Sequence, residues 1–158
     1  FLAEIIEGLF KTTKKIGLYI PGHVDEDMKN LLRTDHGTYS LYMPGQLNYK
    51  EHVAIVKACS FGITPAVMEN FSMAILEATY SGVPVLAFRR GGNEDIIVNG
   101  KNGYLFPAFE VEKMIAAARA LIRNGQIGRL KARARKFTRA KFNSKIILNR
   151  YVQVLGLS

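Results

Sequence analysis

The sequence of 158 residues is poor in cysteine and has no long apolar run. Its single cysteine, Cys59, excludes an internal disulfide and favours a small buried hydrophobic side chain over a reactive thiol. No run of about 18 apolar residues is present, so we expect no transmembrane helix. The N-terminus lacks the basic and apolar regions of a signal peptide. We therefore expect a cytoplasmic location.

Acidic residues are absent from the last part of the chain. Residues 113–158 hold twelve Lys or Arg and no Asp or Glu, whereas residues 1–112 hold ten Lys or Arg and thirteen Asp or Glu. The formal charges of these parts are therefore +12 and −3. The basic helices predicted over 126–158 fit a solvated face or contact with the anionic inner face of a membrane. No helix-turn-helix, finger or aromatic platform supports nucleic-acid binding, so we expect no nucleic-acid partner.

Strand and helix patterns alternate along a length that suits one domain with a sizeable core. This order predicts a parallel sheet covered on both faces, which is the doubly wound α/β class. The chain begins with Phe1, so we expect a piece of a longer polypeptide. Apolar runs predict strands over 16–20, 38–43, 61–64, 83–88 and 104–106.

Two acidic residues, Glu69 and Glu77, are separated by seven residues. Glu69 is predicted in the loop after the third strand, and Glu77 is predicted more than a turn into the helix that follows. This layout places both carboxylates near the carboxyl edge of a parallel sheet, where open α/β folds bind ligands. Ser72 is predicted to cap the helix, whose free N–H groups and dipole attract phosphate. Carboxylates also accept hydrogen bonds from sugar hydroxyls, so the pattern suits a nucleotide-sugar. The alternative is that neither residue binds a ligand. In that case Glu69 only interacts favourably with the positive end of the helix dipole, and Glu77 is solvated.

Residues 60–107 closely resemble the retaining glycosyltransferases of the family-4 type, the glycosyl transferases group 1, whose fold is called GT-B. The rest of the chain resembles the C-terminal, donor-binding half of such an enzyme more loosely. The resemblance rests on Ile63-Thr64-Pro65, the stretch from Glu69 to Glu77, Ser81-Gly82-Val83-Pro84-Val85, Gly91-Gly92-Asn93-Glu94-Asp95-Ile96 and Asn99-Gly100-Lys101-Asn102-Gly103-Tyr104-Leu105-Phe106-Pro107.

The resemblance implies a role for each matching residue. Glu69 would contact the donor sugar near the reacting centre, which makes it the candidate catalytic residue, and Glu77 would bind the ribose. Such enzymes generally hold phosphate with a Lys/Arg pair and without metal, so we expect no metal and no cofactor beyond the donor substrate. The remaining implied donor contacts are the amides of Asn70, Phe71 and Ser72 for the diphosphate, and Gly22, His23, Gly45 and Leu47 for the other side of the nucleotide and its base.

The sequence departs from the family pattern in three ways. Ser72 stands where glycine is usual, and Arg89 and Arg90 do not match the phosphate-binding pair. The first central strand, which carries that pair, and the acceptor-binding N-terminal domain are also not in this sequence. The family's sheet order puts that strand between 16–20 and 61–64. We expect another segment to fill this position, from another chain, by a strand swap or from residues outside this sequence.

The resemblance implies that residues 1–158 form one nucleotide-sugar-binding domain of a larger two-domain enzyme. The whole enzyme would transfer a sugar from a UDP-sugar or GDP-sugar to an acceptor hydroxyl in polysaccharide, glycolipid or glycan synthesis. We expect the isolated chain to be inactive. The alternatives are a non-catalytic nucleotide-binding or interaction module, and a sugar-nucleotide epimerase or phosphorylase of the same fold. A phosphorylase would need a cofactor lysine, and no lysine matches one.

Overall fold

The computed structural model describes residues 1–11, 16–33 and 39–156, and the elements follow the predicted order. Residue 38, the predicted start of the second strand, lies outside this range. The helices are α1 (Leu2–Phe10), α2 (Glu26–Arg33), α3 (Tyr49–Ala58), α4 (Met73–Ser81), α5 (Asn93–Ile96), α6 (Val111–Arg123), α7 (Ile127–Lys141) and α8 (Ser144–Val154), and the strands are β1 (Ile16–Tyr19), β2 (Tyr39–Tyr42), β3 (Gly62–Thr64), β4 (Val85–Phe88) and β5 (Gly103–Phe106).

The strands form two sheets, and every strand pair is parallel. β1 pairs with β2, with Ile16 opposite Tyr39. The other sheet has the order β3-β4-β5, with Gly62 opposite Val85 and Val85 opposite Gly103. Within the described residues β1 and β3 are not paired with each other. The two strands are therefore not neighbours in one sheet, as the expected strand position between them requires.

Strand β4 organises the core because all four of its residues are buried. Successive side chains of a strand point to opposite faces of the sheet, so β4 contributes residues to two apolar clusters. Leu86 and Phe88 pack in a cluster with α1 and α6. Val85 and Ala87 pack in a second cluster that includes Ile75 of α4. Helices therefore cover both faces of the sheet, as the doubly wound class requires.

The basic helix α7 packs against α4, and several of its cations bind backbone carbonyls. Lys131 donates to the carbonyl oxygen of Lys57, in the last turn of α3, at 2.9 Å and to that of Cys59, just after the helix, at 2.6 Å. Arg139 donates to the carbonyl of Tyr80 in the last turn of α4. The final carbonyls of a helix have no partner inside it, so cations there stabilise the helix end.

Helix α8 differs from α7 because none of its residues is buried. Leu148, Tyr151 and Val154 have exposed fractions of 62, 63 and 84%. No helix in the described residues is both long and apolar enough to cross a bilayer.

Candidate functional site

The start of α4 forms the centre of the site. Ser72 is the N-cap, and its hydroxyl oxygen accepts a hydrogen bond from the Ile75 amide at 3.4 Å. This confirms the predicted cap. The Ser72 side chain is buried, with an exposed fraction of 5%. Its hydroxyl is thus committed to the helix backbone, although glycine is usual at this position of the family pattern.

The loop before α4 presents free backbone donors. In the described part of the chain, no group accepts a hydrogen bond from the amides of Asn70, Phe71 or Ser72. Asn70 and Phe71 are exposed, and the Phe71 ring meets the Phe142 ring edge-on at 6.3 Å. Free amides at a helix start, together with the positive end of the helix dipole, form an anion-binding arrangement.

The two acidic residues flank these amides along the chain. Glu69 lies in the loop before α4, and Glu77 lies in the second turn of the helix. Both side chains are partly buried. Among the residues that the structure describes, neither carboxylate has a hydrogen-bond or ion-pair partner. Each can therefore accept hydrogen bonds from ligand hydroxyls.

The Gly91-Gly92 turn lies directly against this loop. A Cβ atom on Gly91 would lie 1.7 Å from the Glu69 carbonyl oxygen, and one on Gly92 would lie 2.4 Å from the Asn70 carbonyl oxygen. The Gly92 amide donates a hydrogen bond of 2.5 Å to that same Asn70 oxygen. The two glycines therefore allow the backbone contact that supports the loop. In the sequence this pair is part of the family resemblance, which does not indicate the contact with the Glu69 loop.

The loops after β1 and β2 form a second group of predicted site residues. The Gly22 amide donates to the Gly45 carbonyl oxygen at 3.1 Å, and both glycines have positive φ, 84° and 74°. The structure thus joins these two loops at the carboxyl end of their sheet. His23 is exposed and Leu47 is partly buried. The Glu69 loop follows β3 in the other sheet, so the predicted contacts come from both sheets.

Two arginines near the site are engaged with neighbouring side chains. Arg89 forms an ion pair of 2.7 Å with Glu94, and both residues are exposed. The Arg90 guanidinium lies 5.9 Å from the centre of the Phe109 ring. Each of these two arginine side chains therefore has a partner within the protein, so neither needs a ligand to explain its position.

The two asparagines of the Asn99–Gly103 motif hold the backbone in place. Asn99 accepts a hydrogen bond from the Leu105 amide through its side-chain oxygen at 2.7 Å. Asn102 is fully buried and accepts from the Val98 amide at 2.8 Å. Its side-chain nitrogen donates to the Ile96 carbonyl and to the Thr138 hydroxyl oxygen of α7 at 2.8 and 3.0 Å. The asparagines of this motif fix a turn and anchor it to α7.

A polar cluster that the sequence did not reveal lies near the gap between the sheets. The Tyr19 hydroxyl and Nδ1 of His52 are hydrogen-bonded at 2.9 Å. The Tyr19 ring stacks on the Tyr42 ring with centroids 6.0 Å apart. Burial raises the pKa of the Tyr19 hydroxyl, and the nearby Cys59 thiol raises it further. Tyr19 and His52 are 33 residues apart in sequence, so no local pattern links them.

The fold and site define an open α/β domain with a helix start at the carboxyl edge of a parallel sheet. Within the residues that the structure describes, the amides and the two carboxylates there have no partner. Residues 3–141 match the family model described as glycosyl transferases group 1. The chain belongs to this family.

Known proteins support the same assignment. A sulfoquinovosyl transferase of Arabidopsis thaliana is 32% identical over 84 residues, which cover 51% of this chain and 16% of that protein. The structure of TarM, a protein of S. aureus, matches with a TM-score of 0.78 at 19% identity. The match covers 96% of this chain and 31% of the TarM chain. The structure of HepE from Anabaena in complex with UDP has a TM-score of 0.76 at 18% identity and covers 98% of this chain and 44% of its own.

These comparisons confirm the predicted α/β class and its relation to the GT-B glycosyltransferases. At 18 and 19% identity, the structural similarity establishes the fold. The chain spans less than half the length of each of the three proteins.

Proposed function

We propose that this chain is the donor-binding domain of a retaining glycosyltransferase that uses a nucleoside-diphosphate-sugar. The enzyme would transfer the sugar to an acceptor hydroxyl in polysaccharide, glycolipid or glycan synthesis. Family membership supports the transferase class. The HepE structure contains UDP, which favours a UDP-sugar as the donor.

The observation that carries this proposal is the set of free groups around the start of α4. The amides of Asn70, Phe71 and Ser72 can hold a diphosphate without a metal ion. Glu77 would accept hydrogen bonds from the ribose hydroxyls, and Glu69 would accept them from the donor sugar. The loops after β1 and β2, which the Gly22–Gly45 hydrogen bond joins, would form the opposite wall of the site. There His23 and Leu47 would contact the nucleotide and its base.

The chemistry of such a site is mainly positioning and charge stabilisation. During transfer the acceptor oxygen replaces the phosphate oxygen at the anomeric carbon of the sugar, and negative charge develops on the departing diphosphate. The amides at the start of α4 would stabilise this charge because they are already oriented toward it. Glu69 would fix the orientation of the sugar at its reacting carbon.

Calorimetric titration with UDP, GDP and UDP-glucose tests the proposal. We expect at least one of the diphosphates to bind, and we expect the Glu77→Gln variant to bind it more weakly. Absence of binding by all three to the longest available form of the polypeptide would contradict the proposal. We also propose that residues 1–158 alone do not transfer sugar, and turnover by this chain alone would contradict that part.

We further propose that the basic C-terminal helices contact an anionic membrane surface on the cytoplasmic side. The exposed apolar residues Leu148, Tyr151 and Val154 on α8 support this proposal, as do the nearby cations Lys145 and Arg150. Binding to vesicles that contain anionic lipid, lost with neutral lipid and with Leu148→Asp, is the expected result. Equal recovery with anionic and neutral vesicles would contradict it.

A further inference from the structure

The loop between β5 and α6 holds Phe109 in a backbone conformation that is unusual for a bulky residue. Its φ is 70°, and within residues 1–11, 16–33 and 39–156 no other residue except glycine has a positive φ. Two hydrogen bonds close this turn. The Glu110 amide donates to the Pro107 carbonyl oxygen at 3.2 Å. The Val111 amide donates to the Phe109 carbonyl oxygen at 2.8 Å. A left-handed backbone crowds the Cβ atom, so Phe109 is strained.

The Phe109 side chain gains little stability from this position. Its ring meets the Phe1 ring at a tilt, with centroids 5.6 Å apart, but 59% of the residue is exposed. Single exposed apolar residues are ordinary on protein surfaces. Phe109 differs because glycine or asparagine would adopt its backbone conformation at a lower cost. Strain that the packing of the side chain does not explain is typical of ligand-binding positions.

A guanidinium lies over this exposed ring. Cζ of Arg90 is 5.9 Å from the centre of the Phe109 ring, which is a cation–π distance. The contact holds the guanidinium in place but occupies none of its five N–H donors. In the part of the chain that the structure describes, this guanidinium makes no hydrogen bond or ion pair. We call the two side chains the Arg90–Phe109 surface, which offers an aromatic ring beside free hydrogen-bond donors.

The Arg90–Phe109 surface lies next to the Glu69 loop. Arg90 directly precedes Gly91, and a Cβ atom on Gly91 would lie 1.7 Å from the Glu69 carbonyl oxygen. Phe109 follows β5, which is the neighbour of β4 in the sheet. Residues of β1 and β3 line a common cavity, so the carboxyl edge has the order β2, β1, β3, β4, β5. The Glu69 loop therefore lies between the loops proposed to contact the nucleotide and the Arg90–Phe109 surface.

A saccharide ring has the chemistry that fits the Arg90–Phe109 surface. The C–H bonds on one face of a pyranose ring carry partial positive charge, and the face of an aromatic ring carries partial negative charge. The sugar hydroxyl oxygens accept hydrogen bonds, and the free guanidinium N–H groups donate them. The surface lies on the side of the Glu69 loop that is away from the nucleotide. A saccharide bound there would thus approach the donor sugar from the acceptor side.

We propose that the Arg90–Phe109 surface binds a pyranose ring of a saccharide acceptor. The sugar ring stacks on Phe109, and its hydroxyl groups accept hydrogen bonds from Arg90. This inference rests on the proposed function, because it assigns the acceptor class for the same transfer. Both residues determine acceptor specificity and take no part in the exchange of bonds at the anomeric carbon.

Nuclear magnetic resonance titration tests the proposal on the longest available form of the polypeptide, in the presence of UDP. The probes are the methyl glycosides of glucose, galactose, mannose and N-acetylglucosamine. Sorbitol is the control ligand because it has the hydroxyl groups of a hexose but no ring. We expect at least one glycoside to shift the signals of the Phe109 amide and the Arg90 Nε–H group, and we expect sorbitol to leave both unchanged.

A matched pair of variants tests the role of the ring. Phe109→Leu keeps an apolar side chain but removes the aromatic face, so the glycoside dissociation constant should rise roughly three- to tenfold. Phe109→Tyr keeps the ring and should retain the affinity. The control is Tyr80→Leu, because Tyr80 is also exposed and the Arg139 guanidinium lies 5.1 Å from its ring. Tyr80 lies in the last turn of α4, at the opposite end of that helix from the site, so its loss should not change glycoside binding.

Four results would overturn the proposal. They are no shift with any of the four glycosides, equal shifts with sorbitol, unchanged affinity in Phe109→Leu, and an equal loss of affinity in Tyr80→Leu. If Phe109→Leu does not fold, Phe109→Asn carries the same test, because asparagine tolerates a positive φ. Calorimetric titration of the same sample with UDP separates this inference from the proposed function. UDP binding without glycoside binding contradicts only the inference, whereas absence of nucleotide binding contradicts the proposed function.

Discussion

Gly92 and Asn70 are joined by a backbone hydrogen bond of 2.5 Å, from the Gly92 amide to the Asn70 carbonyl oxygen. The contact links two loops at the carboxyl edge of the sheet, and it leaves no space for a side chain on Gly92. Because the Asn70 carbonyl points to Gly92, the Phe71 amide of the same peptide unit points the opposite way and remains available for a ligand. The shape of the proposed diphosphate site therefore depends on a glycine 22 residues further along the chain.

Gly92→Ala should disturb the diphosphate site. Its Cβ would lie 2.4 Å from the Asn70 carbonyl oxygen, so the loop must move away. We expect UDP affinity to fall by about tenfold or more, since misplaced donors lose much of their hydrogen-bond contribution. Calorimetric titration measures this change.

Gly128→Ala is the matched control for Gly92→Ala. Gly128 lies in the first turn of α7 with ordinary backbone angles, and nothing lies within 4 Å of a Cβ built there. We expect this variant to gain roughly 0.5 kcal/mol in the free energy of unfolding because alanine loses less backbone entropy than glycine. Its UDP affinity should be unchanged. Equal loss of affinity in both variants would argue against a specific role for Gly92.

Glu77→Gln should weaken nucleotide binding without weakening the fold. The Glu77 carboxylate has no partner among the described residues, so its removal breaks no internal contact. Hydrogen bonds to charged groups contribute about 1.5–3 kcal/mol, which corresponds to a loss of roughly 10- to 100-fold in UDP affinity. Glu112→Gln, on the exposed side of α6, is the control and should bind UDP normally. An unchanged affinity of the Glu77→Gln variant would remove Glu77 from the site.

Thr138→Val should destabilise the fold more than Thr79→Val. Both threonines are fully buried in helices. The Thr138 hydroxyl accepts from the Asn102 side chain, so valine leaves a buried N–H without a partner at a cost of about 1–3 kcal/mol. The Thr79 hydroxyl donates to the Ile75 and Leu76 carbonyls of its own helix. Valine at this position removes the donor itself, so no buried N–H group loses its partner. Urea unfolding of the two variants measures the difference, and equal losses would contradict the assigned role of Thr138.

The free energy of unfolding should fall in alkaline solution, in part because of Cys59. Burial raises the pKa of the Cys59 thiol in the folded chain, although the Lys131 ammonium acts in the opposite direction. The thiol therefore ionises first in the unfolded chain. Its contribution to stability is complete below about pH 8.5, the ordinary pKa of a thiol, and is lost as the pH rises through the raised folded pKa.

Cys59→Ala should remove this part of the pH dependence. We expect its unfolding free energy to decline less than that of the unchanged chain between pH 8 and pH 10, measured by urea unfolding at each pH. The pKa of Tyr19, which is raised first by burial and then by the Cys59 thiol, leaves a decline at higher pH in both proteins, and this decline should be smaller in the Cys59→Ala variant. Identical slopes for the two proteins in the lower range would contradict the assigned shift of Cys59.

The sequence predicted the features that depend on local pattern. The order of the elements, the cap at Ser72 and the position of Glu77 in the helix follow from residue spacing and helix-start chemistry. The gap between β1 and β3 followed from the family resemblance.

Contacts between distant segments could not be predicted in this way. The Gly92–Asn70 bond and the Tyr19–His52 pair join residues far apart in sequence. The cations of α7 fitted a solvated face in the sequence, but Lys131 and Arg139 bind the carbonyls of other helices. Such contacts depend on how the helices pack, which residue periodicity does not specify.

The central claim is that the amides at the start of α4 hold a nucleoside diphosphate. Nuclear magnetic resonance titration tests it most directly, with UDP as ligand and uridine, which has no phosphate, as the control. We predict that UDP shifts the amide signals of Asn70, Phe71 and Ser72, and that uridine shifts them far less. Binding of UDP that leaves these three signals unchanged, or equal shifts with uridine, would contradict the claim.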